Sequence, residues 1–438
     1  MSRPSRAPRI VLPSLLALAL AFAGCGGQDA PPAASASAPA ASVESPSQRL
    51  DWALPATGPG SSAPDLVAGP DGLLVLSWIN SRQGRRHAFQ YSRFDPAAQR
   101  WRNAPTTIAI GNRMVVNWAD TPHVLPTPDG ALWAHWLQKG GDAPHAYDVV
   151  LARSRDGGAN WSAPVPAHDD GTATEHGFVS MWAQGGGLGM AWLDGRNTGG
   201  AHVAESDDAG GHGNGAPMTL RAAVFDANLQ RTVEHEIDAS VCDCCQTAAA
   251  ATGRGPVVVY RGRTDAEVRD ILLTRFENGA WRTPARVHAD DWTMPACPVN
   301  GPSVAAQGEA VLVGWYTAAD DTPRVQLARS DDAGDAFAAP VVLDSGPAVQ
   351  GRVAVALDDA QAWAVWLRED DAGGQTLWLS RRSPDLATEY ERIELARLQG
   401  RGRATGFPQL QVLGGQAYVV WTDVVDGAPQ LQGARMAR

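Results

Sequence analysis

The sequence is short of basic residues. Lysine and arginine together number 36 against 47 acidic residues, and the formal net charge is −11. That balance leaves no electrostatic footprint for nucleic acid or for an anionic membrane surface. Long stretches of helical periodicity are also missing, which excludes an α-rich architecture. The longest apolar run, Ile10 to Ala23, is too short to span a bilayer comfortably, and no stop-transfer pattern follows it. Only five cysteines occur, so each can be weighed singly. What the chain does have is 46 glycines, 31 prolines and 16 tryptophans in 438 residues. These suit an all-β fold of short strands and many turns.

Arg3, Arg6 and Arg9 stand before the apolar run, an order that reads as a signal peptide over residues 1–24. The run ends in Phe22-Ala23-Gly24-Cys25, which resembles the lipobox of bacterial lipoproteins. The resemblance implies cleavage before Cys25 and a lipid on its sulfur. Gly26, where another class carries Asp, resembles the lipoproteins sent to the outer membrane. The alternative is an ordinary secretory signal with an incidental cysteine. Residues 25–50 are rich in Ala, Ser and Pro and cannot bury a core, so they read as a flexible tether. Without the three signal arginines the remainder carries −14. Membrane contact is expected through the anchor only, and nucleic acid is excluded as a partner.

A repeat fills residues 51–438. Apolar second-strand segments end at Trp78, Trp136, Trp192, Tyr260, Trp315, Trp366 and Trp421, at intervals of 58, 56, 68, 55, 51 and 55 residues. One large packing residue per four-stranded unit at that period predicts a β-propeller of seven blades, with six as the alternative count. The last unit, 404–438, shows only three strands. The segment near Leu50 to Pro55 is therefore expected to supply the fourth and close the ring.

Turns inside the units carry a second pattern. Ser154-Arg155-Asp156-Gly157-Gly158-Ala159-Asn160-Trp161 fits S-x-D-x-G-x-x-W, and Ser330 to Phe337 fits with Phe for Trp. Degenerate copies stand at Ser92 to Trp101 and Thr274 to Trp281. The pattern resembles the Asp box of the sialidase-like (BNR-repeat) propellers. There Asp caps a tight turn and Gly permits a left-handed conformation. The box is structural, so the resemblance speaks for fold.

In a propeller, loops leading into the first strand of each blade and loops leaving the second share one face. That rule gathers His123, the pair Glu175-His176, Cys242, Cys244, Cys245, Cys297, Arg352, Arg196, Arg261, Arg263, Arg368 and Asp423 on the top face. A long insert, Asn197 to Met218 with His202 and His212, belongs there too. Two readings of the four cysteines stand side by side. An oxidising compartment and an even count suit disulfides. Three thiols within four residues suit a soft ion, copper or zinc, with Cys242, Cys244, Cys245 and Cys297 as ligands. His176 and His123 would complete the shell, and Met181 and Met294 are weaker candidates. A site exchanging between disulfide and metal forms satisfies both readings.

The resemblance to sialidases implies a different site. Three arginines would grip a substrate carboxylate, and Arg196, Arg263 and Arg352 are the candidates, with Tyr260 or Tyr316 as nucleophile. The family's Arg-Ile-Pro motif is absent from residues 51–438, and sialidases have six blades. The leading expectation is thus a cell-envelope lipoprotein with a metal-binding or redox-active thiol site. A sialidase-like exo-glycoside hydrolase comes second, and a non-catalytic propeller binding a glycan or envelope protein third.

Overall fold

The computed structural model describes residues 48–82, 86–143, 145–199 and 216–437. The signal peptide, Cys25 and most of the tether lie outside the described residues, as do His202 and His212. Seven antiparallel sheets follow one another along the chain, so the protein is a seven-bladed β-propeller. Their inner strands are Ser61–Ala68, His123–Pro126, His176–Gln184, Ala248–Thr252, Ser303–Gln307, Val349–Leu357 and Gln409–Leu413. Among the described residues no helix is long and apolar enough to cross a membrane.

The period read from the sequence is the period of the core. All seven repeat aromatics lie on second strands and are at most 6% exposed. A sheet must bury both faces when it stands between two others, so the core is divided into seven seams, one between each neighbouring pair of blades. Burying one such tryptophan, relative to alanine, stabilises the fold by about 3–5 kcal/mol. Several also satisfy their indole N–H. Trp315 donates to Asp290 at 2.7 Å, Trp366 to Asp344 at 2.7 Å and Trp192 to Asp194 at 2.8 Å.

The ring closes as expected, by the N-terminal strand. Gln48–Asp51 pairs antiparallel with Ala428–Ala437, from Gln48 opposite Ala437 to Asp51 opposite Ala434. The strand thus begins two residues before Leu50. The seam it guards holds Trp52, Leu66, Trp78, Phe94, Tyr418 and Leu431. Trp52 alone meets Phe94, Trp101 and Tyr418 with ring centroids 5.0–5.5 Å apart.

The Asp boxes fold as their chemistry requires. Ser154 Oγ accepts from Gly158 N–H at 2.8 Å, Asp156 accepts from Asn160 N–H at 2.8 Å, and Gly158 has φ +93°. The second box repeats this with Ser330, Asp332, Gly334 and Ala336. Each box also ties two blades together. Tyr91 of blade 1 donates to Gly157 O at 3.0 Å, and Arg275 of blade 4 donates to Ala333 O at 2.5 Å.

Three inner strands carry a feature that no residue pattern announces. In blades 1, 3 and 6 the register with the second strand slips (once in the first two, twice in blade 6), with a non-glycine residue of positive φ at a slip in each: Ala63 (+52°), Phe178 (+53°) and Arg352 (+53°). Such a bulge bends the strand and re-aims the side chains before it. All three lie near the start of the strand, at the end where the candidate residues gather.

Candidate functional site

The thiols do come together. Cys242, Cys244 and Cys245 place their Sγ atoms within 4.8 Å of one another, with Cys242 3.2 Å from Cys245 and 3.9 Å from Cys244. The loop that carries them links blade 3 to blade 4 and is pinned at both ends. Cys242 N–H donates to Arg261 O at 3.0 Å, and Gln246 reaches Ala119 O at 2.7 Å and Gly301 N–H at 2.9 Å. Cys242 and Cys245 are each 1% exposed, Cys244 is half-buried, and Cys297 is exposed with its thiol against that of Cys244. All four are free thiols in this structure.

Their protons are unequally held. Burial pushes the Cys242 thiol up to about 12, and burial with the neighbouring thiols pushes Cys244 well above its usual value. Burial works in the same direction on Cys245, but there it is overcome. Hydrogen bonds from the Cys242 and Cys244 thiols, the charge of Arg261 and the Asn300 N–H hold Cys245 well below the ordinary range. Cys245 is thus the most acidic of the three thiols, and its sulfur is the one that Cys242 faces as a donor. Arg269, wholly buried, faces Cys242. Neither Arg269 nor Arg261 belongs to the cysteine loop, and their contribution was not visible in the spacing of the thiols.

The expected nitrogen ligands lie elsewhere. Among the described residues no histidine nitrogen joins the three sulfurs within 4.8 Å. His123 stands on the central channel, with Nδ1 3.1 Å from Asp65. His176 points into the seam between blades 2 and 3, where its ring stacks on His168 at 3.6 Å. The physical reason is the bulge at Phe178, which resets the alternation along the strand that His176 begins.

The three arginines share no partner. Arg196 makes a two-pronged contact with Asp194 (2.7 and 2.8 Å) and a third with Glu234 at 3.0 Å. Arg263 is held by Asp243 at 3.0 Å and Glu267 at 2.8 Å. Arg352 is 8% exposed, and its guanidinium donates to the 402–406 turn: Gly402 O, Thr405 Oγ1 and Gly406 O at 2.7–3.0 Å. Burial pushes its guanidinium down to about 10. The Tyr260 hydroxyl donates to Asp238 at 2.7 Å inside a core seam, and burial pushes its pKa well up. Tyr316 is likewise raised by burial. Neither phenol is arranged as an activated nucleophile.

Beneath the thiol loop, the channel holds a cavity of about 220 Å³, lined among others by Asp65, Asp120, His123, Gln246, Thr247 and Ser303. The loop carrying Trp118 contributes Ala119 and Asp120 to its lining. The Trp118 ring stacks on Phe407 at 5.8 Å, and Arg352 lies 4.7 Å above the same indole. Asp120 Oδ2 accepts from Phe178 N–H at 2.8 Å, while Oδ1 is buried with no partner. That approach requires Gly177, since a Cβ there would lie 2.0 Å from Asp120 Oδ2. Burial pushes the Asp120 carboxyl up to about 7, against the pull of the Phe178 N–H and His123. A raised carboxyl binds its proton more tightly in the folded state, so its ionisation costs stability as pH rises from about 4 to 7. Asp120→Asn should remove that loss. The gap between variant and parent in urea unfolding should widen by up to about 4 kcal/mol between pH 4 and pH 8, at roughly 1.4 kcal/mol per unit. A gap that does not change with pH would show that Asp120 ionises freely.

The propeller is similar to that of the polysaccharide lyase Uly1, with a TM-score of 0.50 and 8% identity over 89% of this chain and 92% of that one. The NanB sialidase from Streptococcus pneumoniae gives a TM-score of 0.45 at 8% identity, over 84% and 83% of the two chains. At these identities the likeness is one of fold, and fold does not choose a function. No protein-family model matches the sequence, and no curated protein matches it.

Proposed function

We propose that the protein holds a soft metal ion, Cu(I), on Cys242, Cys244 and Cys245. The observation that carries this reading is the convergence of three sulfurs, two buried and one half-buried, within 4.8 Å of one another. Thiolates select soft ions. Zn(II) would ask for a fourth ligand in a tetrahedron, and would have to draw in Cys297 from the exposed side. Cu(I) is satisfied by three. Three thiolates and Cu(I) carry two negative charges, which the two guanidinium groups of Arg261 and Arg269 would offset. Set on the tether and lipid anchor that the N-terminus implies, such a site would stand in the cell envelope.

The test is elemental analysis with thiol counting on protein purified without reductant and without a metal-binding tag. One copper per chain is expected, with the three loop thiols shielded from a thiol reagent. No bound copper, with all four thiols oxidised, would sink the reading.

The 3.2 Å separation of Cys242 and Cys245 favours a second reading, a redox pair. Two thiols would give two electrons and two protons to a disulfide- or quinone-class oxidant, and the sulfurs would close to about 2.05 Å. Loss of two thiols on mild oxidation, reversed by dithiothreitol and blocked by prior Cu(I), is the result that reading requires.

A further inference from the structure

The seam between blades 2 and 3 brings together groups from four separate segments. Asp148 belongs to the third strand of blade 2, Tyr147–Ser154. His168 and Asp170 lie in the loop that follows that blade's outer strand, Val165–Pro166. His176 begins the inner strand of blade 3, and Asp194 ends its second strand. One ligand atom each from Asp148, His168 and His176 lies within 4.8 Å of the others, and the same holds for Asp170, His176 and Asp194.

The proton positions follow from the partners. His176 Nδ1 lies 3.2 Å from Thr174 O, a carbonyl that can only accept, so Nδ1 carries the hydrogen. His168 Nδ1 lies 2.8 Å from Asp170 Oδ2, a carboxylate oxygen that accepts. That nitrogen also carries its hydrogen. The Nε2 atoms of both rings are then the free ends. Both are buried, both lack a hydrogen-bond partner, and their side chains are 0% and 5% exposed. His176 Nε2 faces Asp170 Oδ2 at 3.1 Å and Asp194 Oδ1 at 3.6 Å, and His168 Nε2 faces Asp148 Oδ1 at 3.7 Å. A lone pair aimed at carboxylate oxygens is repelled. Two imidazolium rings stacked at 3.6 Å would repel each other instead. A cation between them removes both conflicts.

Charge leads to the same place. Asp148, Asp170 and Asp194 bring three negative charges. Among the described residues the one guanidinium within 4.0 Å of Asp170 or Asp194 is that of Arg196, 3.7 Å from the first and 2.7 Å from the second. Two negative charges remain in a largely buried seam, and buried charge is costly unless it is matched. The outer hydrogen bonds also have the form that metal-bound histidines take, one N–H to a carboxylate and one to a backbone carbonyl.

We propose that Asp148, His168 and His176, supported by Asp170 and Asp194, form a second metal site for a divalent ion of borderline hardness, Zn(II) being the probe of choice. It shares no residue with the sulfur site. Two imidazoles and a carboxylate are a zinc donor set, and Asp148, whose side chain is 30% exposed, marks the side from which the ion enters. The two sites would sort metals by softness, sulfur for Cu(I) and nitrogen with oxygen for Zn(II).

The experiment is a Zn(II) titration against a chromophoric chelator on the intact protein, with ¹⁵N-histidine spectra recorded alongside. One zinc equivalent should move the Nε2 resonances of His168 and His176 and leave that of His123 in place. His176→Gln should lose that equivalent. Asp148→Asn, at a partly exposed position where folding is not at stake, should weaken it at least tenfold. Cys245→Ser should keep it, which separates this site from the sulfur site. Undisturbed His168 and His176 resonances at saturating zinc, or unchanged zinc affinity in Asp148→Asn, would overturn the proposal.

Discussion

Cys245→Ser should weaken Cu(I) binding by more than about 100-fold, beyond the 10–100-fold that changes outside the ligand shell cost. Cys245 is the most acidic of the three thiols and accepts from Cys242, so its loss removes both a ligand and an acceptor inside the loop. The same asymmetry sets the pH dependence. Metal must displace thiol protons, and burial holds those of Cys242 and Cys244 more tightly than that of Cys245. Binding releases protons, so affinity rises with pH. Each proton released adds about a factor of ten per pH unit, and Cys245, the most acidic of the three, should contribute less than the other two. Competition with a Cu(I) chelator between pH 6 and 8, on parent and variant, measures both numbers. A Cys245→Ser variant that matches its parent would show that the metal is held elsewhere.

Arg261→Met should cost the fold about 3 kcal/mol or more and loosen the thiol site with it. Arg261 is 2% exposed, and among the described residues no carboxylate forms an ion pair with it. Its guanidinium donates instead to carbonyls of three segments: Arg269 O at 2.6 Å, Asn300 O at 2.7 Å and Tyr316 O at 2.7 Å. The plane lies 5.0 Å from the Trp292 ring centre. Methionine fills much of the volume but leaves three carbonyls short of a donor, at about 1–3 kcal/mol for each that water cannot reach. It also removes the charge that helps Cys245 ionise, so the Cys245 thiol should titrate higher. Urea unfolding and the pH dependence of thiol alkylation read the two effects separately. A normal midpoint with a normal alkylation profile would mean that Arg261 is a spectator.

The blades were legible because their signal is carried by large residues at a regular interval. Trp78, Trp136, Trp192, Tyr260, Trp315, Trp366 and Trp421 each fill a seam, and no loop chemistry disguises them. The sulfur loop was legible because its three thiols are near neighbours in the chain. The histidines were not. Which way His176 points is decided by one bulged residue, Phe178, whose positive φ leaves no mark in composition or alternation. Its true companions, Asp148, His168, Asp170 and Asp194, come from both sides of a seam, and only the stacking of two sheets makes them neighbours. The arginines misled for a related reason. A loop arginine looks free in the sequence, while Arg196 is already held by Asp194 and Glu234, and Arg263 by Asp243 and Glu267.

Gln48–Asp51 and Ala428–Ala437 make the last blade out of the two ends of the described chain. Six blades can assemble in the order in which they are made, each against the one before. The seventh cannot, because its outer strand is made first and its partner last. Of all the pairings in the ring, this one spans the greatest stretch of chain, so it bears the largest loop-closure cost and should form late. Until it does, the Trp52–Tyr418 seam stays open at one side and the two edges beside it stay available to other chains. Four paired residues therefore act as a latch, and the most sensitive place to look for domain swapping or early unfolding is the seam they close.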